Sequence, residues 1–93
     1  TAVIIPSNES DSPYGKEDNA CALENIFLAA HSLGIGSVWI NQLQGICDKP
    51  EIRTLLNSWG IPDNHTVYGI AAIGYPADDA VREPNKIGEY KII

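Results

Sequence analysis

Asp18-Asn19-Ala20-Cys21-Ala22-Leu23-Glu24-Asn25-Ile26-Phe27-Leu28-Ala29-Ala30-His31-Ser32-Leu33 runs through Gly34-Ile35-Gly36 into Ser37-Val38-Trp39-Ile40-Asn41, and this run sets the architecture of the chain. Its Ala, Leu, Phe and Glu residues favour a helix from about Asp18 to Leu33, with Gly34 as the C-terminal stop. Ser37-Val38-Trp39-Ile40 then has the pattern of a short strand. The helix keeps its polar residues on one narrow stripe, because Glu24 recurs at His31 and Asn25 at Ser32, two turns on. Its other faces are apolar and call for burial, with Cys21 as a small buried hydrophobe. A chain of 93 residues has little with which to cover such a helix. The run therefore predicts a larger assembly: a further part of the domain, a partner subunit, or both.

Upstream, Ala2-Val3-Ile4-Ile5 is a short apolar strand ended by Pro6. Residues 7–16 are rich in Ser, Asn, Asp, Pro and Gly and read as a flexible linker. Downstream, Asn41 to Cys47 has loop composition. A second helix is expected to begin near Asp48, capped by Asp48 and by Glu51 in a capping box. Ile52, Leu55, Leu56 and Trp59 give it one apolar face, and Gly60 and Pro62 end it. Thr66-Val67-Tyr68-Gly69-Ile70-Ala71-Ala72-Ile73 is apolar on both alternating faces, as in a central strand covered above and below. Gly74-Tyr75-Pro76 breaks it, and the polar tail closes on Glu89-Tyr90-Lys91-Ile92-Ile93, patterned as a short edge or exchanged strand. The fold class expected is α+β, layered as an α/β arrangement, with a central sheet and a long buried helix in one domain.

The net charge of −6 argues against nucleic acid and anionic membrane surfaces as partners. Glu24, Asn25 and His31 interrupt the best apolar run, so no membrane span is expected. Cys21 and Cys47 form no CxxC and no zinc spacing, and no metal site is predicted; Cys47, near a loop, is a candidate free thiol. No leader segment or disulfide framework is visible, which points to a reducing, cytoplasmic setting. The chain contains no Met and opens inside a strand, so a piece of a longer protein is expected. Arg82, Lys86 and Lys91 concentrate positive charge near the end, where an anion can be met.

Leu33-Gly34-Ile35-Gly36 is not a phosphate-binding glycine loop, because it follows a helix and precedes a strand, the reverse of the required order. It is a tight helix-to-strand turn. His31 and His65 form no triad by spacing, and Asp78-Asp79 lies in a polar turn. No side chain stands out as catalytic. Any redox or group-transfer chemistry is therefore expected from a cofactor.

Three segments in register resemble the C-terminal half of the nitroreductase family of FMN-dependent oxidoreductases. They are Asp18 through Ile40, with Glu24-Asn25, Leu28-Ala29-Ala30-His31-Ser32-Leu33-Gly34-Ile35-Gly36 and Trp39-Ile40; Leu55-Leu56 through Gly60-Ile61-Pro62; and Ile73-Gly74-Tyr75-Pro76-Ala77. The resemblance covers nearly the whole chain. It implies a nitroreductase-like αβα sandwich, present here in part as residues 1–93, and an interlocked homodimer packed through the helix around Asp18 to Leu33. FMN would bind at the subunit boundary, with backbone amides at Ile40, Asn41 and Gln42 facing flavin N5 and O4. Asn41-Gln42-Leu43 stands where many members carry an acidic-glycine or double-glycine pair. Arg82 and Lys86 match the family's basic positions for the FMN phosphate. The family's N-terminal Arg-x-Ser-x-Arg segment does not occur in this chain.

The resemblance implies a parent that is an FMN-dependent NAD(P)H oxidoreductase, with NAD(P)H as co-substrate. Electrons would pass in a ping-pong cycle to a nitroaromatic, a quinone or a similar small-molecule acceptor. Taken alone, the 93 residues would be an inactive part of that enzyme. The alternative is a non-catalytic flavin-binding or regulatory module on the same scaffold, which Asn41-Gln42 favours.

Overall fold

A computed structural model describes residues 1–77, Gly88, Lys91 and Ile92. In chain order the elements are β1 (Ala2–Ile4), β2 (Asn8–Glu9), α1 (Gly15–Ser32), β3 (Gly36–Ile40), α2 (Pro50–Ser58), β4 (His65–Thr66) and β5 (Ile70–Gly74). The main sheet is antiparallel in the order β1-β5-β3, so β5 is its central strand as the apolar run predicted. Ala71 stands opposite both Ile4 and Trp39, and Ala72 opposite both Val3 and Val38.

Strand residues alternate between faces, so this register sorts the sheet into two surfaces. Ile4, Trp39, Ala71 and Ile73 share one, and there Ile4 and Ile73 meet Ile26, Ala29 and Ala30 of α1. Val3, Ile40, Ile70 and Ala72 share the other. On that side Ile70 joins Leu56 of α2, Cys47, Ile61 and Val67 in the buried core, with Ile5, Ile40, Leu43 and Ile52 packed against it. The result is the expected α+β fold, helix on sheet on helix.

Both helices stop as expected, each through a Schellman turn. At the end of α1 the Gly34 N–H donates to His31 (3.1 Å) and the Ile35 N–H to Ala30 (2.9 Å), with Gly34 at φ +72°. At the end of α2 the Gly60 N–H donates to Asn57 (3.0 Å) and the Ile61 N–H to Leu56 (3.1 Å), with Gly60 at φ +92°.

The starts differ from expectation. α1 begins at Gly15 rather than Asp18, because the Asp18 N–H already donates to the Tyr14 carbonyl (2.9 Å) inside the helix. α2 has no capping box: its N-cap is Lys49, and no side chain caps it. Pro50 explains this. A proline holds the residue before it extended, and Lys49 is extended at ψ 136°, which places Asp48 one position too early to cap. The Asp48 carboxylate instead accepts from Arg53 Nη2 at 2.7 Å.

Residues 7–16 are not a linker. Asn8–Glu9 pairs antiparallel with His65–Thr66, and Ser10 Oγ and Thr66 Oγ1 share a hydrogen bond of 2.8 Å. The expected strand Thr66–Ile73 is accordingly divided: Thr66 belongs to β4, and β5 starts at Ile70.

Within one chain α1 is not a long buried helix. Gly15, Asn19, Leu23 and Ala30 are buried, whereas Leu28 is 59% and Leu33 71% exposed. Cys21 is exposed too, contrary to its expected burial, while the free Cys47 is buried in the core. The cause is that α1 packs chiefly against β2, β3 and β5, on one side of the helix. No helix among the described residues is long and apolar enough to cross a membrane. Glu89, Tyr90 and Ile93 of the expected terminal strand lie outside the described residues, while Lys91 and Ile92 are exposed and in no strand.

Candidate functional site

Strand β3 carries the chain out of the sheet at Ile40, directly opposite Ile70. Ile40 is half-buried and its side chain packs against the core on the α2 side. Asn41 and Gln42 follow, both exposed and uncharged. The backbone then coils through consecutive turns, in which the Gln44 N–H donates to Asn41 (3.2 Å) and the Ile46 N–H to Leu43 (3.2 Å), with Gly45 at φ +81°. Among the described residues the Gln42 and Leu43 N–H groups donate to no carbonyl. Two adjacent backbone N–H groups at the rim of the sheet are thus without a carbonyl partner among the described residues, beside the exposed side chains of Asn41 and Gln42. Such a rim suits a planar ligand with acceptor atoms along one edge.

Beside Gln42 an apolar groove of about 370 Å³ runs between the sheet and α2, lined by Val3, Ile40, Leu43, Leu55 and Trp59. On the opposite face of β3, Trp39 points toward α1, its ring centroid 6.2 Å from that of Phe27. The indole lies close over Gly69: a Cβ there would come within 2.6 Å of indole Cε2 and Nε1. Trp39 Nε1–H donates to Asn41 Oδ1 at 3.3 Å. Behind Gly69 stands Asn19 of α1, only 1% exposed. Its Nδ2 donates to the Gly69 carbonyl and its Oδ1 accepts from the Gly69 N–H, each at 3.1 Å.

The residues picked out by sequence thus divide. Ile40, Asn41 and Gln42 are contiguous at the mouth of β3. Arg82 and Lys86 lie outside the described residues. Asn19 and Gly69 went unnoticed, although each carries a signal. Asn19 is a polar residue four positions before Leu23 on the same helix face, and Gly69 is a glycine inside an apolar run, a mark of close approach. Spacing also hid the 2.8 Å hydrogen bond that Ser7 Oγ and His65 Nδ1 share, which ties the β2–β4 ribbon. Among the described residues no group of three His, Cys, Asp or Glu side chains is placed to hold a metal ion.

Comparison with known proteins identifies the family and the fold. The family model described as the nitroreductase family matches residues 1–75. A protein of Archaeoglobus fulgidus, provisionally named NADH dehydrogenase/NAD(P)H nitroreductase, is 42% identical over 83 residues, which are 84% of this chain and 45% of its own. A crystal structure of a nitroreductase with bound FMN from Bacteroides fragilis superposes with a TM-score of 0.86 at 49% identity, over 98% of this chain and 50% of that one. An FMN-dependent nitroreductase from Clostridium difficile shares the fold, with a TM-score of 0.72 at 20% identity over 98% of this chain and 56% of its own. The chain spans about half the length of these relatives.

Proposed function

Since the chain belongs to the nitroreductase family, we propose that the protein carrying it is an FMN-dependent NAD(P)H oxidoreductase. Its acceptors would be nitroaromatics, quinones or similar small molecules. Residues 1–93 would supply the C-terminal half of a single domain, in a cytoplasmic protein. The observation that carries the proposal is the rim of β3, where Ile40 closes the sheet and the N–H groups of Gln42 and Leu43 have no carbonyl partner among the described residues. Those donors fit the N5 and O4 edge of a flavin.

FMN, when bound, supplies the two-electron chemistry between NAD(P)H and the acceptor. The chain's own residues orient it. The backbone N–H groups of Gln42 and Leu43 would hold the ring edge, Ile40 would close the apolar side beneath it, and Arg82 and Lys86 would meet the phosphate through charge-assisted hydrogen bonds. No side chain of this chain is assigned a nucleophilic or acid-base role. The exposed apolar residues Leu28 of α1 and Leu33 at its C-cap support a homodimer through the helix around Asp18 to Leu33.

The test is NADH and NADPH oxidation by the FMN-loaded protein, with a nitroaromatic and a quinone as acceptors. Acceptor-dependent oxidation is the expected result. Bound FMN without NAD(P)H oxidation would replace the enzyme with a flavin-binding module, and absence of FMN binding would overturn both.

A further inference from the structure

Three contacts join α1 to the rim of β3. Asn19 spends both halves of its amide on one residue, Gly69, with two hydrogen bonds of 3.1 Å. This fixes Gly69 as a neighbouring strand would, just ahead of β5. Gly69 in turn is the one surface on which the Trp39 indole rests with no room for a methyl group, the nearest indole atoms lying 2.6 Å from a Cβ position. Trp39 then uses its only polar atom on the Asn41 side chain, two residues along at the rim. An indole is rigid, so its position is set by what it lies on, and its N–H direction follows.

We propose that Trp39, seated on the Asn19–Gly69 clamp, is a positioning residue that fixes the Asn41–Gln42 segment. Buried helix geometry is thereby passed to a solvent-exposed loop through a rigid ring and one hydrogen bond. The consequence for a cofactor rests on the flavin reading of that segment: donors at Gln42 and Leu43 are held in place before the flavin arrives, which reduces the ordering cost of binding. Phe27 of α1 stands beside the ring, with centroids 6.2 Å apart.

Two variants of the whole protein test this without depending on catalysis. Trp39→Phe removes both the N–H and the indole edge that lies on Gly69. Gly69→Ala keeps Trp39 and displaces its ring. Backbone hydrogen exchange is measured in the absence of FMN, and FMN affinity is measured beside it. In W39F, exchange at Gln44 and Ile46, whose N–H groups donate to Asn41 and Leu43 across the rim turns, rises about two- to tenfold, the factor carried by one ordinary hydrogen bond, while Ala71 and Ala72 in the central strand keep their rates. G69A, where it folds, reproduces the same local pattern; where it does not, W39F decides alone. Unchanged exchange at Gln44 and Ile46 in W39F, or an equal rise through β5, overturns the positioning role. A local rise in a protein that binds no FMN upholds the positioning role and overturns the flavin reading instead.

Discussion

Asn19 shows how much one side chain can be asked to do. A primary amide offers an acceptor and two donors on one plane, and here it satisfies both backbone groups of Gly69 in a place water does not reach. Removing it leaves a buried N–H and a buried C=O with no partner. Asn19→Ala is therefore expected to cost about 2–4 kcal/mol of stability, since each orphaned buried group costs roughly 1–3 kcal/mol. Asn25→Ala, which gives up only an exposed bond from Asn25 Nδ2 to the Cys21 carbonyl, should cost no more than about 0.5 kcal/mol. Urea unfolding of the two variants checks the contrast, and equal midpoints would contradict it. Asn19 escaped notice in the sequence because its partner lies 50 residues away. Nothing local distinguishes an asparagine that clamps a distant backbone from one that faces solvent.

Among the elements, ends written in backbone conformation were legible and ends written in side chains were not. Gly34 and Gly60 both stop their helices, because only glycine enters the left-handed region freely. Gly34→Ala and Gly60→Ala should each destabilise by about 1–2 kcal/mol. Gly74→Ala should be nearly neutral, as a Cβ there meets Thr1 Oγ1 at an ordinary 3.6 Å. Thermal melts of the three variants test this, and a loss at Gly74 equal to that at Gly60 would contradict it. The helix starts misled for physical reasons. Tyr14 and Lys49 cap through no side chain, so the usual signal is absent, and Pro50 overrides the apparent box of Asp48 and Glu51. The β2–β4 ribbon could not be foreseen at all. Its strands have two residues each and take their register from each other across the fold.

For the whole molecule, the apolar character of α1 carried information that a single chain does not use. The helix pattern called for cover on most sides, and the chain covers one side, leaving Leu28 and Leu33 exposed. A second copy packed through α1 is the cover proposed for that surplus, beside the remainder of the domain. Leu28→Glu would place a charge in such an interface and should convert a dimer to a monomer in sedimentation equilibrium. A protein that already sediments as a monomer would contradict the assembly. The candidate site followed the same division of legibility. Ile40, Asn41 and Gln42 are adjacent in sequence, so a linear pattern finds them, whereas Asn19, Trp39 and Gly69 come together only when α1, β3 and the segment before β5 are folded.

The central claim is that the rim of β3 serves a flavin, and FMN titration followed by quenching of flavin fluorescence tests it most directly. The titration is run on the protein with both halves of its domain, beside residues 1–93 alone. The account predicts saturable binding by the former, weakened in Trp39→Phe, and little binding by the latter. Failure of the protein with both halves to bind FMN would contradict it.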